Sequence, residues 1–162
     1  ALLSPGLLWA EAAKPTDPQI AHIAYTAGLL DVEAGKQALE KSKNKDVRVF
    51  AQRMIGDHTA VNEQALALVK KLNVTPEDNA TSQSLTKQAN ATREKLAGLT
   101  GAAFDKAYVD NEVAFHKTVN AALKDTLIPD AQNPELKSLL QSGLTLFQAH
   151  LEHAETLAKQ LQ

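Results

Sequence analysis

Two stretches of this chain repeat an apolar side chain in alternating steps of four and three. The first runs Val47, Ala51, Met54, His58, Val61, Ala65, Leu68, Leu72. The second runs Leu136, Leu140, Gly143, Phe147, His150, Ala154, Leu157, Leu161. A mean step of 3.5 keeps a stripe on one side of a helix over many turns, whereas a strand alternates every two residues. The spacing therefore predicts long helices over about 46–72 and 134–161, each about 40 Å long at about 1.5 Å per residue. Neither helix can bury such a stripe alone. Each needs other helices beside it.

Two further segments supply them. Helix signals follow Thr16-Asp17-Pro18, and Ile20, Ile23, Ala24, Ala27, Leu30, Ala34 and Ala38 give a stripe over about 17–43. A fourth helix is predicted over about 101–127, stopping before Pro129. Asn133-Pro134-Glu135 is a capping signal for the last helix. A weaker amphipathic segment over about 82–98, after the polar loop 73–83, reads as a crossover helix. No strand signal competes. Four stripes close on one another in a four-helix bundle, so the fold class is all-α. The first turn is short, which makes the first two helices antiparallel neighbours. The long second connection can cross the bundle, as in ferritin-like folds.

The bundle is expected to span 17–162. Residues 1–16 read as a signal-peptide remnant or a flexible N-terminal arm: Leu2, Leu3, Leu7, Leu8 and Trp9 are apolar, and Ala10-Glu11-Ala12 is a small-x-small cleavage pattern. That pattern carries the expectation of an exported, periplasmic protein. A net charge of −2 gives no electrostatic case for nucleic acid. No stretch reaches the roughly 20 apolar residues of a membrane span. The absence of cysteine excludes thiolate metal sites and cysteine nucleophiles. The two Asn-x-Thr matches at Asn79 and Asn90 are short and common.

The residues that bear on function interrupt the seams. His58, His116 and His150 occupy seam positions on three different helices, each within about one turn of its helix midpoint. Three imidazoles at one height is what a site requires. Glu112 lies one turn before His116 on the same apolar face. Asp31 and Glu33 lie near the midpoint of the first helix, and periodicity leaves open which of them points inward. Met54 lies one turn before His58, and His153 follows His150. A buried carboxylate is costly unless paired, and a buried imidazole must satisfy two nitrogens. A divalent ion answers both needs. Three His with one or two carboxylates suit zinc, iron, copper or nickel, and a thioether ligand would favour copper. Set against this, a core His is more often hydrogen-bonded structure, and Met is more often a core filler. The Glu-x-x-His pairs of di-iron bundles are missing.

The segments GLLDVEAGKQALEKSKNKDVRVFAQRMIGDHTAVNEQ and LTGAAFDKAYVDNEVAFHKTV, with His150-Leu151, resemble a bacterial family, the domain-of-unknown-function family 4142. The most specific pieces are Phe50-Ala51-Gln52-Arg53-Met54 with Asp57-His58, and Gly101-Ala102-Ala103-Phe104-Asp105 with Tyr108. The resemblance implies a ferritin-like four-helix bundle, usually behind a signal peptide, with no established enzymatic activity. It implies counterparts of Glu33, Met54, His58, His116 and His150. It also implies that the position of Glu112 is often Met and that of Phe115 often Asp. Glu in place of Met hardens the site, away from copper(I) and toward zinc or iron.

The leading expectation is a core site for one transition metal ion (zinc, iron or copper), with His58, His116, His150, Glu112 and Glu33 as candidate ligands and metal buffering or stress protection as the role. The alternative is a ligand-free structural or protein-interaction module whose buried polar network fixes helix register. An enzyme needs an open coordination position and a substrate route, and no motif supplies either. A homodimer or an unidentified protein partner stays open.

Overall fold

The structure, a computed structural model, describes residues 13–162. Residues 1–12 of the N-terminal arm expected over 1–16 therefore lie outside the described residues. The elements are α1 (Asp17–Lys41), α2 (Lys45–Lys71), α3 (Ala80–Ala97), α4 (Gly101–Ala122) and α5 (Pro134–Gln160). Among the described residues there is no strand, and no helix is long and apolar enough to cross a membrane.

Local chemistry sets the boundaries. Thr16 and Gln19 form a reciprocal capping box at the start of α1. Asn44, which follows the span predicted for the first helix and reads by its residue type as a stop, instead caps α2, its side-chain oxygen accepting from the Asp46 and Val47 amides. Asn79 caps α3 and Asn133 caps α5 in the same way. Gly101 opens α4 at φ +59°, a conformation that favours glycine. The expectation that the fourth helix stops before Pro129 is corrected. After Ala122 the chain widens into a π-helical turn, Leu123–Leu127, and a last helical turn, Ile128–Asp130, carries Pro129 inside it. Proline has no N–H to donate, and the wider turn just upstream resets the hydrogen-bond pattern before it.

The hydrogen bonds between elements fix the topology. The Glu77 amide donates to the Pro18 carbonyl, so α3 begins beside the start of α1. Gln37 and Lys41 donate to the Arg93 and Ala97 carbonyls, so α3 runs parallel to α1 on the outside of the bundle. The Asp17 carboxylate then accepts from the Gln132 and Asn133 amides, which returns the end of α4 to the start of α1. Thus α1 and α5 point one way, α2 and α4 the other, and α3 is the crossover. The bundle has the connectivity expected from the sequence.

The core is layered. One end packs Phe50, Met54, Phe104, Tyr108, Val109, Ala154 and Leu157. The other packs Ile20, Ile23, Leu123, Leu127, Leu136, Leu140 and Phe147. Between these apolar layers lie five buried polar side chains: Asp31, His58, Glu112, His116 and His150.

Candidate metal centre

Close approach of α1 and α2 builds one side of the polar layer. A Cβ on Gly28 would overlap the Asn62 side chain, and one on Gly35 would stand 3.0 Å from the Ala51 carbonyl oxygen. Glycine at both places lets the backbones come together. Asp31, between them on the same face, then reaches His58 across the antiparallel pair. The Asp31 Oδ2 to His58 Nε2 separation is 3.0 Å. That distance suits charge pairing, but the groups are out of line for a hydrogen bond.

The three histidines meet as the seams require. Ring centroids are 5.8 Å apart for His58 and His116, 5.2 Å for His58 and His150, and 5.5 Å for His116 and His150. Phe147 stacks on His58 at 4.7 Å and closes the layer on that side. One nitrogen of each histidine lies within 4.8 Å of one nitrogen of each of the other two. Ligand atoms of Asp31, Glu112 and His116, one from each, likewise lie within 4.8 Å of one another. The two groups share His116.

Two of the rings have their tautomers set by their partners. His116 Nδ1 stands 2.9 Å from the Glu112 carbonyl oxygen, which can only accept, so Nδ1 carries the hydrogen. His150 Nε2 stands 2.7 Å from Asp57 Oδ2, so there Nε2 carries it. The remaining nitrogens, His116 Nε2 and His150 Nδ1, are buried without a hydrogen-bond partner. In the neutral ring each offers a lone pair. Burial holds both rings toward that neutral form. It lowers the His116 pKa from the usual value, and it lowers that of His150 to about 4, despite the opposing effect of Asp57.

The carboxylates divide a proton unequally. Burial alone would raise Asp31, but its neighbours His58, Glu112 and His116 hold it well below the usual carboxylate range. Burial, then the Asp31 charge, push Glu112 well above its usual value. Two adjacent buried carboxyls cannot both ionise without a cation. Of the two, Glu112 is the one that holds a proton more tightly. Tyr108, buried with an unpartnered hydroxyl, is pushed up by burial and by Glu112.

The sequence candidates separate accordingly. His58, His116, His150 and Glu112 share the buried layer. Glu33 does not join them: its carboxylate is at the surface, 2.8 Å from Arg93 Nη1, and Asp31 takes the inward place on α1. The candidate set therefore loses Glu33. Met54 is wholly buried in the apolar layer, packed with Phe50 and Tyr108. His153 lies outside the cluster, edge-on to Phe50 and 3.1 Å from Arg53 Nη1. Sequence reasoning noted Asp57 only as part of the family motif and gave it no role beside His150. It sits one residue before His58, off the seam, and the signal was a carboxylate on the flank facing the neighbouring helix.

The family described as "Domain of unknown function (DUF4142)" matches residues 5–157, and the chain belongs to it. Comparison with curated proteins and with solved structures gives no match.

Proposed function

We propose that this DUF4142 chain binds one transition metal ion in the core of its bundle. His116 Nε2, His150 Nδ1 and a ring nitrogen of His58 are the ligands, and a carboxylate oxygen of Glu112 or Asp31 is the fourth. The observation that carries the proposal is the pair of fixed tautomers. A hydrogen-bonded structural histidine uses both nitrogens. Here two buried rings, packed against each other and against His58, are tied at one nitrogen, one of them by a carboxylate, and leave the other nitrogen without a partner. A ligating histidine is ordinarily oriented in this way. Nitrogen ligands at about 2.1 Å on a tetrahedral ion stand about 3.4 Å apart, so closing the three rings from at most 4.8 Å needs a shift of under about 1 Å each. The ion would also release the proton of Glu112 and neutralise the carboxyl pair.

Imidazole with carboxylate favours zinc or iron(II) over copper(I), because Met54 is engaged elsewhere. With the export read from the N-terminal segment, a role in periplasmic metal buffering or stress protection follows. The test is elemental analysis and zinc titration of the wild type beside a His58→Ala/His116→Ala double variant. About one equivalent in the wild type, lost in the variant, supports the proposal. A metal-free wild type that takes up no zinc, iron or copper overturns it.

One observation favours the second reading, a ligand-free polar network. Asp31 with His58 and Asp57 with His150 are already paired at 3.0 and 2.7 Å. That reading predicts that apolar replacement of His58, His116 and His150 together leaves folding intact or improved. It provides no partner for the bare His116 and His150 nitrogens.

A further inference from the structure

The half of the bundle holding the start of α1 and the start of α5 is not filled. A cavity of about 130 Å³ runs from the polar layer into the apolar layer that holds Ile23, Leu123 and Leu140. Its walls are almost entirely carbon, with Ile23, Val61, Val119, Leu123, Leu140 and Phe147 among them. His58 and His116 border it. Small residues from four helices (Ala24, Ala65, Ala122 and Gly143) leave the space that larger side chains would fill. Protein interiors ordinarily pack to crystal-like density, and voids larger than a water molecule are few. Asn62, a polar residue of the lining, donates one of its N–H groups to the Tyr25 carbonyl. A water inside would find few of the two to four polar partners it needs.

We infer that this cavity is a binding site for a small uncharged apolar molecule, up to about the size of benzene, held against the imidazoles of His58 and His116. A carbon-lined space of about 150 Å³ in a protein core stays dry and takes up benzene or xenon, and the same physics applies here. Binding replaces contacts that the lining side chains lack. The ligand class is fixed by the walls: they are overwhelmingly carbon and carry no carboxylate, lysine or arginine, with polar groups confined to a few side chains such as the two imidazoles, so ions, sugars and nucleotides find too few partners. Diatomic gases and short hydrocarbons fit. The site does not depend on a metal. If the polar layer also holds an ion, the apolar molecule would lie beside the coordination sphere.

The experiment uses the full chain in metal-free form. Benzene is titrated by calorimetry and followed in imidazole ¹H–¹³C spectra. Expected is saturable binding with a Kd of about 1 mM or tighter. The His58 and His116 signals should move and those of His153, outside the cavity, should stay. Xenon should compete. Val61→Phe and Val119→Phe, made separately, place a ring in the cavity from different helices, and each should weaken benzene at least about tenfold. Zinc uptake is measured on the same variants. Retained uptake with lost benzene binding separates the two sites. Non-saturable benzene uptake by the wild type, or benzene shifts confined to other residues, overturns the inference. So does a folded variant that binds benzene as the wild type does. A wild type that binds benzene but no metal leaves this inference standing and removes only the metal.

Discussion

Asp57→Ala isolates the part of the metal proposal that geometry supports most directly. In the wild type, the His150 Nε2–H donates to Asp57 Oδ2 at 2.7 Å, and Arg53 Nε, 3.5 Å from the same oxygen, steadies the carboxylate. Removing the carboxylate leaves two options. Either Nε2–H stays buried without a partner, or the ring changes tautomer and turns an N–H toward the ion position. The second option removes a ligand, and the first weakens its basicity and orientation. Loss of such an outer partner typically costs about 10–100-fold in metal affinity, or about 1.4–2.7 kcal/mol. The fold should lose less. The Asp57 side chain is 35% exposed, so its charge pairing with Arg53 is screened, and the variant should remain folded at 25 °C. Zinc affinity would be read by competition with a chromophoric chelator, with circular dichroism as the control for folding. Asp57→Asn, which keeps an acceptor oxygen, should fall between the wild type and Asp57→Ala. A folded Asp57→Ala that binds zinc within about twofold of the wild type would refute the argument from tautomers.

Three other outcomes are expected. In the metal-free protein, the depressed pKa of His150 makes stability fully present above about pH 6.5. It is then lost as the pH falls through about 4, because the unfolded state takes up the proton first; this amounts to about 3 kcal/mol, and chemical denaturation across that range should follow it. Glu112 has the opposite sign: its raised pKa favours the fold below the usual glutamate range, and that contribution is lost as the pH rises through the raised value. Glu112→Gln should therefore raise the melting temperature of the metal-free protein more at pH 8 than at pH 5, by roughly 2–4 °C per kcal/mol gained. Gly35→Ala, whose methyl would meet the Ala51 carbonyl oxygen at 3.0 Å and Ile55 Cγ1 at 2.9 Å, should cost about 1–3 kcal/mol by forcing α1 and α2 apart, measured by urea denaturation.

The strict four-three seams made the long helices legible, because a stripe of that period has one stable use. The starts at Thr16 and Asn133 were legible, because a proline follows each cap within two residues, but a cap without that signal could be assigned to the end of one helix or the start of the next. Asn44 illustrates this: its side chain reaches forward to Asp46 and Val47, not back into α1. Pro129 misled for a different reason. Its cost to a helix is local, and one π-helical turn upstream accommodates it. At the site, His58, His116, His150 and Glu112 were visible because polar residues on an apolar stripe must go inward. Choosing Asp31 over Glu33 required knowing which face of α1 meets α2, which the flanking glycines Gly28 and Gly35 decide. Asp57 stayed hidden because it acts from a flank on a residue of another helix, 93 positions away in sequence. The apolar cavity was not legible at all. It is a property of how small residues from several helices fail to meet.

The central claim is that one ion sits among the three histidines. An anomalous difference map, collected at the zinc edge from a crystal of zinc-loaded protein, tests it most directly. The account predicts a single buried peak about 2.1 Å from His116 Nε2, His150 Nδ1 and a nitrogen of His58, with a carboxylate oxygen of Glu112 or Asp31 completing the shell. No peak in the polar layer, with His116 Nε2 and His150 Nδ1 still bare or bonded to water, would contradict it.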